Sequence, residues 1–236
     1  MIENELADET PEPDALSWRD QAVARSLDSA RLRAESRVQR FLDAAVELLN
    51  AGSGKDFTVQ EVVERSGQSL RSFYQYFSGK HELLLALFEE SVRSTTDHLR
   101  HDIAGEAEPL ERLHRFVVEY YRMCRPAGDI SISMSVRPIL MAEFAQQLLT
   151  THPKEAARAF APLVALFEEL LDGAAEADAV RDDLRRGPII GVVLEVIMFN
   201  AFSATIGGPS ARLDDAASAE ELWRFVLQGI GTGPRA

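Results

Sequence analysis

The sequence predicts an all-α protein, and three observations carry the prediction. Apolar residues recur at three- and four-residue spacing in one segment after another. Strand-like alternation of β-branched residues is scarce. Prolines and glycines gather mostly between the periodic stretches, where they act as breaks. At 236 residues, 46% of them hydrophobic, the chain is long enough to bury a substantial core.

Residues 1–16 read as a disordered acidic tail, because Glu3, Glu5, Asp8, Glu9, Glu12 and Asp14 stand there without a basic partner. No basic stretch followed by an apolar core opens the chain, so no secretory signal is expected. Residues 17–35 are charged and alanine-rich and fit either a helix or a basic arm. Val38, Phe41, Leu42, Ala45, Leu48 and Leu49 then form one helical stripe, which Gly52 and Gly54 end.

Thr58-Val59-Gln60-Glu61 has the form of a capping box, with Val59, Val62 and Val63 facing inward on a short second helix. Ser66-Gly67 breaks that helix, Ser69 can cap a third, and Phe73 with Phe77 supplies the buried side. Ser78 is expected to cap a fourth helix running through Leu83, Leu87, Phe88 and Val92 toward His101. Beyond Gly105 the periodicity predicts helices over residues 110–124, 138–150, 154–171, 185–206 and 219–228. Breaks at Arg125-Pro126-Ala127-Gly128 and Gly207-Gly208-Pro209 separate some of them. The expected division is an N-terminal module over 17–84 and a larger helical domain over 85–236.

Two short helices joined by a glycine turn and braced by a preceding helix form the unit that lays its second helix in the major groove of DNA. With Phe73 and Phe77 turned inward, Arg71, Ser72 and Gln75 would point outward with donors and acceptors suited to base edges, and Arg71 suits bidentate contact with guanine. Thr58, Ser69, Tyr74, Tyr76 and Lys80 lie at helix starts or beside that face, where hydroxyls, helix N-termini and an ammonium can hold phosphates.

Residues 57–84, FTVQEVVERSGQSLRSFYQYFSGKHELL, resemble the signature segment of TetR-like regulators. That pattern has a threonine-capped helix, a glycine turn and a serine opening the recognition helix. An aromatic run ending in Tyr-x-Tyr/His-Phe follows, with a lysine three residues later. Thr58, Gly67, Ser69, Tyr74, Tyr76, Phe77 and Lys80 fill those places in order. Gln68 stands where the family commonly has valine, and Val63 where it often has alanine. The close match covers residues 38–88.

The resemblance implies a ligand-responsive, sequence-specific transcription regulator, a repressor released from a palindromic, double-stranded operator by a small hydrophobic effector. It also implies an effector cavity in the C-terminal helices. The candidates for its lining are Phe116, Tyr120, Tyr121, Met134, Phe144, Phe160, Phe167 and Asn200, with Gln146 as a further polar group and Pro162 expected to kink its helix. Ile189, Val193, Val196, Phe202, Leu222, Phe225 and Val226 offer more apolar surface than one subunit's end needs, which a homodimer would bury.

The net charge of −13 is the feature least expected of a DNA-binding protein. Its distribution eases the conflict, since residues 15–85 nearly balance acids with bases. Within that segment, Arg25, Arg31, Arg33, Arg37 and Arg40 also outnumber Asp28 and Glu35. The acidity remains the main support for the alternative reading, a helical small-molecule-binding or adaptor protein of the same fold that does not bind DNA.

Other chemistries find little footing. Cys124 is the single cysteine, so an intramolecular disulfide is excluded and a reducing, cytoplasmic setting is expected. Asp97, His98, His101 and Asp102 have ligand-like spacing but read as a solvated helix face. Gly52-Ser53-Gly54-Lys55 lacks the residues and the preceding strand of a phosphate loop and reads as a helix terminator. Residues 188–206 are apolar but carry Glu195 and Asn200, which favours a buried helix over a membrane span. His114 and Cys124 read as a surface imidazole and a core sulfur, and no catalytic motif is found. The expectation is a non-enzyme without cofactor or metal.

Overall fold

The structure, a computed structural model, describes residues 17–51, 57–124, 138–206 and 215–232, without the side chains of 138–143, 200–206 and 215–216. Met134, the tail over 1–16, the Gly52–Lys55 segment and the breaks at 125–128 and 207–209 lie outside the described residues. The protein is all-α: nine helices and no strand lie among the described residues.

The first helix, α1, spans Trp18–Ala51 without an internal glycine or proline. Residues 17–35 are therefore helix rather than arm. Ser17 opens it, its Oγ accepting from the Asp20 amide at 3.3 Å and donating to Asp20 Oδ2 at 2.7 Å. Only the C-terminal half buries a stripe, Phe41, Leu42, Ala44, Ala45 and Leu49, whereas Trp18 is 73% exposed.

α2, Val59–Ser66, starts at the capping box that the sequence predicts: Thr58 Oγ1 accepts from the Glu61 amide at 3.2 Å, and Glu61 Oε2 accepts from the Thr58 amide at 2.7 Å. It ends at Gly67, whose φ of 64° is left-handed. The Gln68 amide then donates back to the Val63 carbonyl at 3.3 Å, closing a six-to-one turn. Gln68 serves this turn through its backbone, so the turn does not depend on which side chain stands there.

α3, Leu70–Tyr76, is capped by Ser69, whose Oγ accepts from the Ser72 amide at 3.1 Å. α4, Lys80–Ile103, differs from expectation at its start. Its N-cap is Gly79, and Ser78 makes no side-chain cap. Glu82 instead reaches back and accepts from the Ser78 amide at 2.6 Å. That backbone donor holds the Glu82 carboxyl below its usual range.

The remaining helices follow the predicted order with small shifts of boundary: α5, Pro109–Cys124; α6, Pro138–Thr151; α7, Pro153–Glu176; α8, Arg186–Ile206; and α9, Asp215–Ile230. α7 runs through Pro162, which lies on its exposed side. α1 packs on α2 and α4. α4 in turn packs on α5, α6 and α7, while α5 also meets α8 and α9. Two aromatic contacts mark this second core: Phe116 stacks on Phe167 at 5.0 Å, and Phe88 meets Phe160 edge-on at 5.2 Å.

α8 buries Ile190, Val193, Leu194, Ile197 and Met198, as expected of an internal helix. No helix among the described residues is long and apolar enough to cross a membrane.

Among the described residues Gly67 is the glycine with a left-handed φ. A Cβ at Gly67 would meet nothing within 4 Å, so the cost of Gly67→Ala is conformational alone. It should destabilise the protein by roughly 1 kcal/mol, with the helical circular dichroism unchanged. Chemical denaturation checks this, and an unchanged midpoint would contradict the left-handed turn.

Candidate nucleic-acid interface

The second helix of the module is oriented by its aromatic side. Phe73 is fully buried, edge-on to Phe41 at 5.4 Å and packed on Phe77 at 5.4 Å; Phe41 and Phe77 are themselves 6.2 Å apart. With that side fixed, Arg71 and Gln75 are exposed on the opposite side, while Leu70 and Tyr74 are exposed nearer the flank, the Tyr74 ring edge-on to Phe73 at 5.5 Å. Arg71 makes no ion pair among the described residues.

Ser72 stands apart from the other two expected base-reading residues. It is half-buried, with its Oγ enclosed and without a partner among the described residues. The residues expected at phosphates divide in the same way. Tyr74 is 57% exposed and Tyr76 half-buried. Thr58 and Ser69 are exposed, each already accepting a helix-capping bond.

Lys80 has a structural task that its sequence position does not disclose. Its Nζ donates to the Phe57 carbonyl at 2.7 Å and sits 4.5 Å from the centre of the Phe57 ring. It thereby ties the start of α4 to the residue before the α2 cap. A lysine following an aromatic residue in a turn gives no signal of this contact in sequence.

Around this face the charge is mixed. Arg25, Arg33, Arg37 and Arg40 are exposed on α1, while Arg31 pairs with Glu35 at 2.7 Å and Arg65 with Glu47 at 3.1 Å.

The residues expected at an effector cavity do gather between α4, α5, α6 and α7. Phe116, Tyr120, Tyr121, Phe144 and Phe167 are buried, and Phe160 is half-buried. Burial beside Cys124 pushes the Tyr120 phenol well above its usual range, and the Cys124 thiol is pushed up to about 12. Gln146 faces solvent from α6, and the Asn200 side chain lies outside the described part.

The residues expected at a subunit interface separate by helical period. Val193, Leu222 and Val226 are buried inside the protomer, because they occupy the sides of α8 and α9 that pack on α5. Ile189 and Val196 are half-buried, and Phe225 is 67% exposed. Val192, which the sequence reading did not single out, is 58% exposed, and Phe199 is also partly exposed. The Phe202 side chain lies outside the described part.

One smaller reading changes. His114 is no plain surface imidazole: its Nε2 lies 3.0 Å from Glu220 Oε1 and its ring 5.1 Å from that of Trp223, joining α5 to α9. The Asp97–Asp102 face holds one ion pair, His98 with Asp102 at 3.3 Å, while a tighter cluster forms from His81, His152 and Glu155.

Residues 41–87 match the family model described as "Bacterial regulatory proteins, tetR family". The fatty acid metabolism regulator protein of Bacillus subtilis (strain 168) is 24% identical over 98 residues, or 42% of this chain. The chain spans about half the length of the curated relatives it matches.

Among solved structures, the transcriptional regulator FadR from Bacillus subtilis in complex with stearoyl-CoA superposes with a TM-score of 0.62. It is 16% identical, over 81% of this chain and 98% of that one. Thermus thermophilus FadR in complex with lauroyl-CoA gives 0.61 at 20% identity, over 84% and 96%. The helix-turn-helix segment thus resembles that of the tetR family of bacterial regulatory proteins, and the helical body that continues it shares the fold of these solved structures.

Proposed function

We propose that the protein is a dimeric transcription regulator that reads a palindromic operator with α3 and is released from it by a small, largely apolar effector. The observation that carries the reading is the rotation of α3. Phe73 locks one side into the core and leaves Arg71 and Gln75, a guanidinium and an amide, exposed on the other. The match of residues 41–87 to the tetR family model supports this use of the helix.

Arg71 and Gln75 are the base-reading candidates. Ser72, with its hydroxyl enclosed, fits a packing role better than a reading one. Tyr74, Tyr76, Thr58 and Ser69 are placed to hold phosphates. Lys80 contributes chiefly by fixing the relative position of α2 and α4.

The dimer reading rests on α8 and α9. Ile189, Val192 and Val196 recur at three- and four-residue spacing on the side of α8 opposite the buried stripe, and Phe225 projects from α9. Such a seam suits a self-complementary two-fold contact. The effector reading rests on the aromatic set between α4 and α7, and on two structural relatives that hold an acyl-CoA. An effector with a long apolar segment fits both, and it acts by binding the DNA-free arrangement more tightly.

Selection of bound fragments from genomic DNA with purified protein should return an inverted repeat with half-sites about 34–36 Å apart. Arg71→Ala should weaken binding to that site by about 1–3 kcal/mol and relax one base position. Undiminished binding by the folded variant would remove α3 as the reading helix, and failure to select any DNA would favour the non-binding adaptor reading.

Light scattering should give a dimer at micromolar concentration. Phe225→Arg should shift it toward monomer with the fold intact, whereas Leu222→Arg should unfold it, since Leu222 is buried. A wild-type monomer at that concentration refutes the seam.

Titrating a long-chain acyl-CoA with and without the selected operator tests the effector. Coupling requires weaker acyl-CoA binding in the presence of operator, by the same factor that acyl-CoA weakens operator binding. Equal dissociation constants would exclude that compound as an inducer.

A further inference from the structure

One cluster of ligating side chains has no part in the reading above. His81 lies in the first turn of α4, His152 directly precedes α7, and Glu155 lies in the first turn of α7. Each offers one ligand atom, and these atoms all lie within 4.8 Å of one another. His81 Nε2 is 2.8 Å from Glu155 Oε2, and the two imidazole rings are 4.6 Å apart between centres. Thr151 Oγ1 lies 2.7 Å from His152 Nδ1, which engages one ring nitrogen and leaves Nε2 as the ligand atom.

We infer that His81, His152 and Glu155 form a binding site for a divalent transition-metal ion of the zinc class, bridging the start of α4 and the start of α7. Two imidazole nitrogens and one carboxylate oxygen are the donor set of an open, three-ligand zinc site, with water completing the coordination. Metal–ligand distances of about 2.0–2.1 Å in a tetrahedral site place ligand atoms roughly 3.4 Å apart, so the His81–Glu155 pair, at 2.8 Å, must open slightly and the wider separations, up to 4.8 Å, must close. Rotation of side chains achieves that here, because His81 and His152 are exposed and Glu155 is only half-buried. The same exposure gives the ion a path in.

The surroundings favour an imidazole-seeking ion over a hard one. The N-terminal ends of α4 and α7 carry partial positive charge, which favours the Glu155 carboxylate but opposes a loosely held cation. Inner-sphere bonds to nitrogen overcome that opposition for zinc, cobalt or nickel, whereas magnesium and calcium prefer a set of oxygens. Of the basic side chains on α7, Arg158, which acts on Glu155, is paired with Glu89 at 2.8 Å, and Lys154 is exposed to solvent. The Phe144 ring, 5.9 Å from that of His81, closes the side toward the core.

The test uses the tag-free full chain and cobalt(II) as the probe, read by its visible d–d absorption, in the absence of DNA. The expected result is one ion per chain with a dissociation constant of roughly micromolar or tighter. Binding should be weakened at least tenfold by His152→Gln and by Glu155→Gln, and left unchanged by His98→Gln on the outer face of α4. Zinc should raise the unfolding temperature of the unsubstituted protein and not that of the two site variants, while magnesium and calcium should not raise it at all. Circular dichroism confirms that the variants, altered only at the surface, remain folded. Cobalt binding weaker than millimolar, retention of binding in both site variants, or a preference for calcium or magnesium would each overturn the assignment. Because no DNA enters the measurement, its outcome is independent of whether α3 reads an operator.

Discussion

The Phe73 side chain has no exposed surface, and a helix of only seven residues has one rotation about its axis that keeps it so. At 100° per residue, burying Phe73 against Phe41 and Phe77 sends Arg71 and Gln75 to the far side and leaves Ser72 on the flank, where its hydroxyl is enclosed. A helix this short is marginal in water by itself. Burial of one phenylalanine contributes about 2–3 kcal/mol, and each edge-to-face pair about 0.5–1.5 more. The helix therefore exists because of the contact, and the surface it presents is a consequence of the same contact.

Neighbouring residues at the start of α4 extend this constraint in two directions. Lys80 reaches the Phe57 carbonyl and ring, fastening α4 to the entry of α2, while His81 reaches Glu155 at the start of α7. Farther along, Phe88 lies between Phe144 of α6 and Phe160 of α7. α4 thus belongs to both cores. In the proposed regulator, a shift of α6 or α7 around an effector cannot leave α4 where it was, because packed interiors transmit strain rather than absorb it. That is the physical content of coupling between two sites in this fold, and it needs no contact between effector and DNA.

The features legible in sequence were those fixed by local chemistry. The Thr58–Glu61 box, the Gly67 turn, the Ser69 cap and the Phe73/Phe77 pair each rest on residues within a few positions of one another, and the helices formed as those residues dictate. Misreadings arose where a competing side chain or a distant partner decides. Ser78 resembles a cap, but Glu82 supplies the acceptor. His114 looks like a surface residue until Glu220 and Trp223 arrive from more than a hundred residues away. The His81, His152 and Glu155 cluster is invisible for the same reason, since α4 and the α6–α7 junction meet only in the folded chain. Val193, Leu222 and Val226 were grouped with Phe225 because an apolar run gives no phase when both sides of a helix are apolar, as on α8.

The strong net negative charge bears on the proposed reading through distance rather than through its total. The Debye length at physiological ionic strength is about 8 Å, so a carboxylate farther than that from a phosphate contributes little. Several acids of the C-terminal helices are in any case partnered, Glu169 by Arg100, Glu89 by Arg158, Glu106 by Arg115 and Asp172 by Arg186. The exposed guanidinium groups of Arg25, Arg33, Arg37 and Arg40 belong to α1, the helix that braces α2 and α3. With Lys80 engaged by Phe57 and Arg65 by Glu47, α2, α3 and the turn after them offer few cations besides Arg71 for the phosphate backbone. Sequence-independent affinity should then be modest, and discrimination must come mainly from the few side chains of α3 that reach base edges. In the proposed regulator, a lean basic face would trade non-specific retention on DNA for selectivity, and the orientation imposed by Phe73 would make that exchange workable.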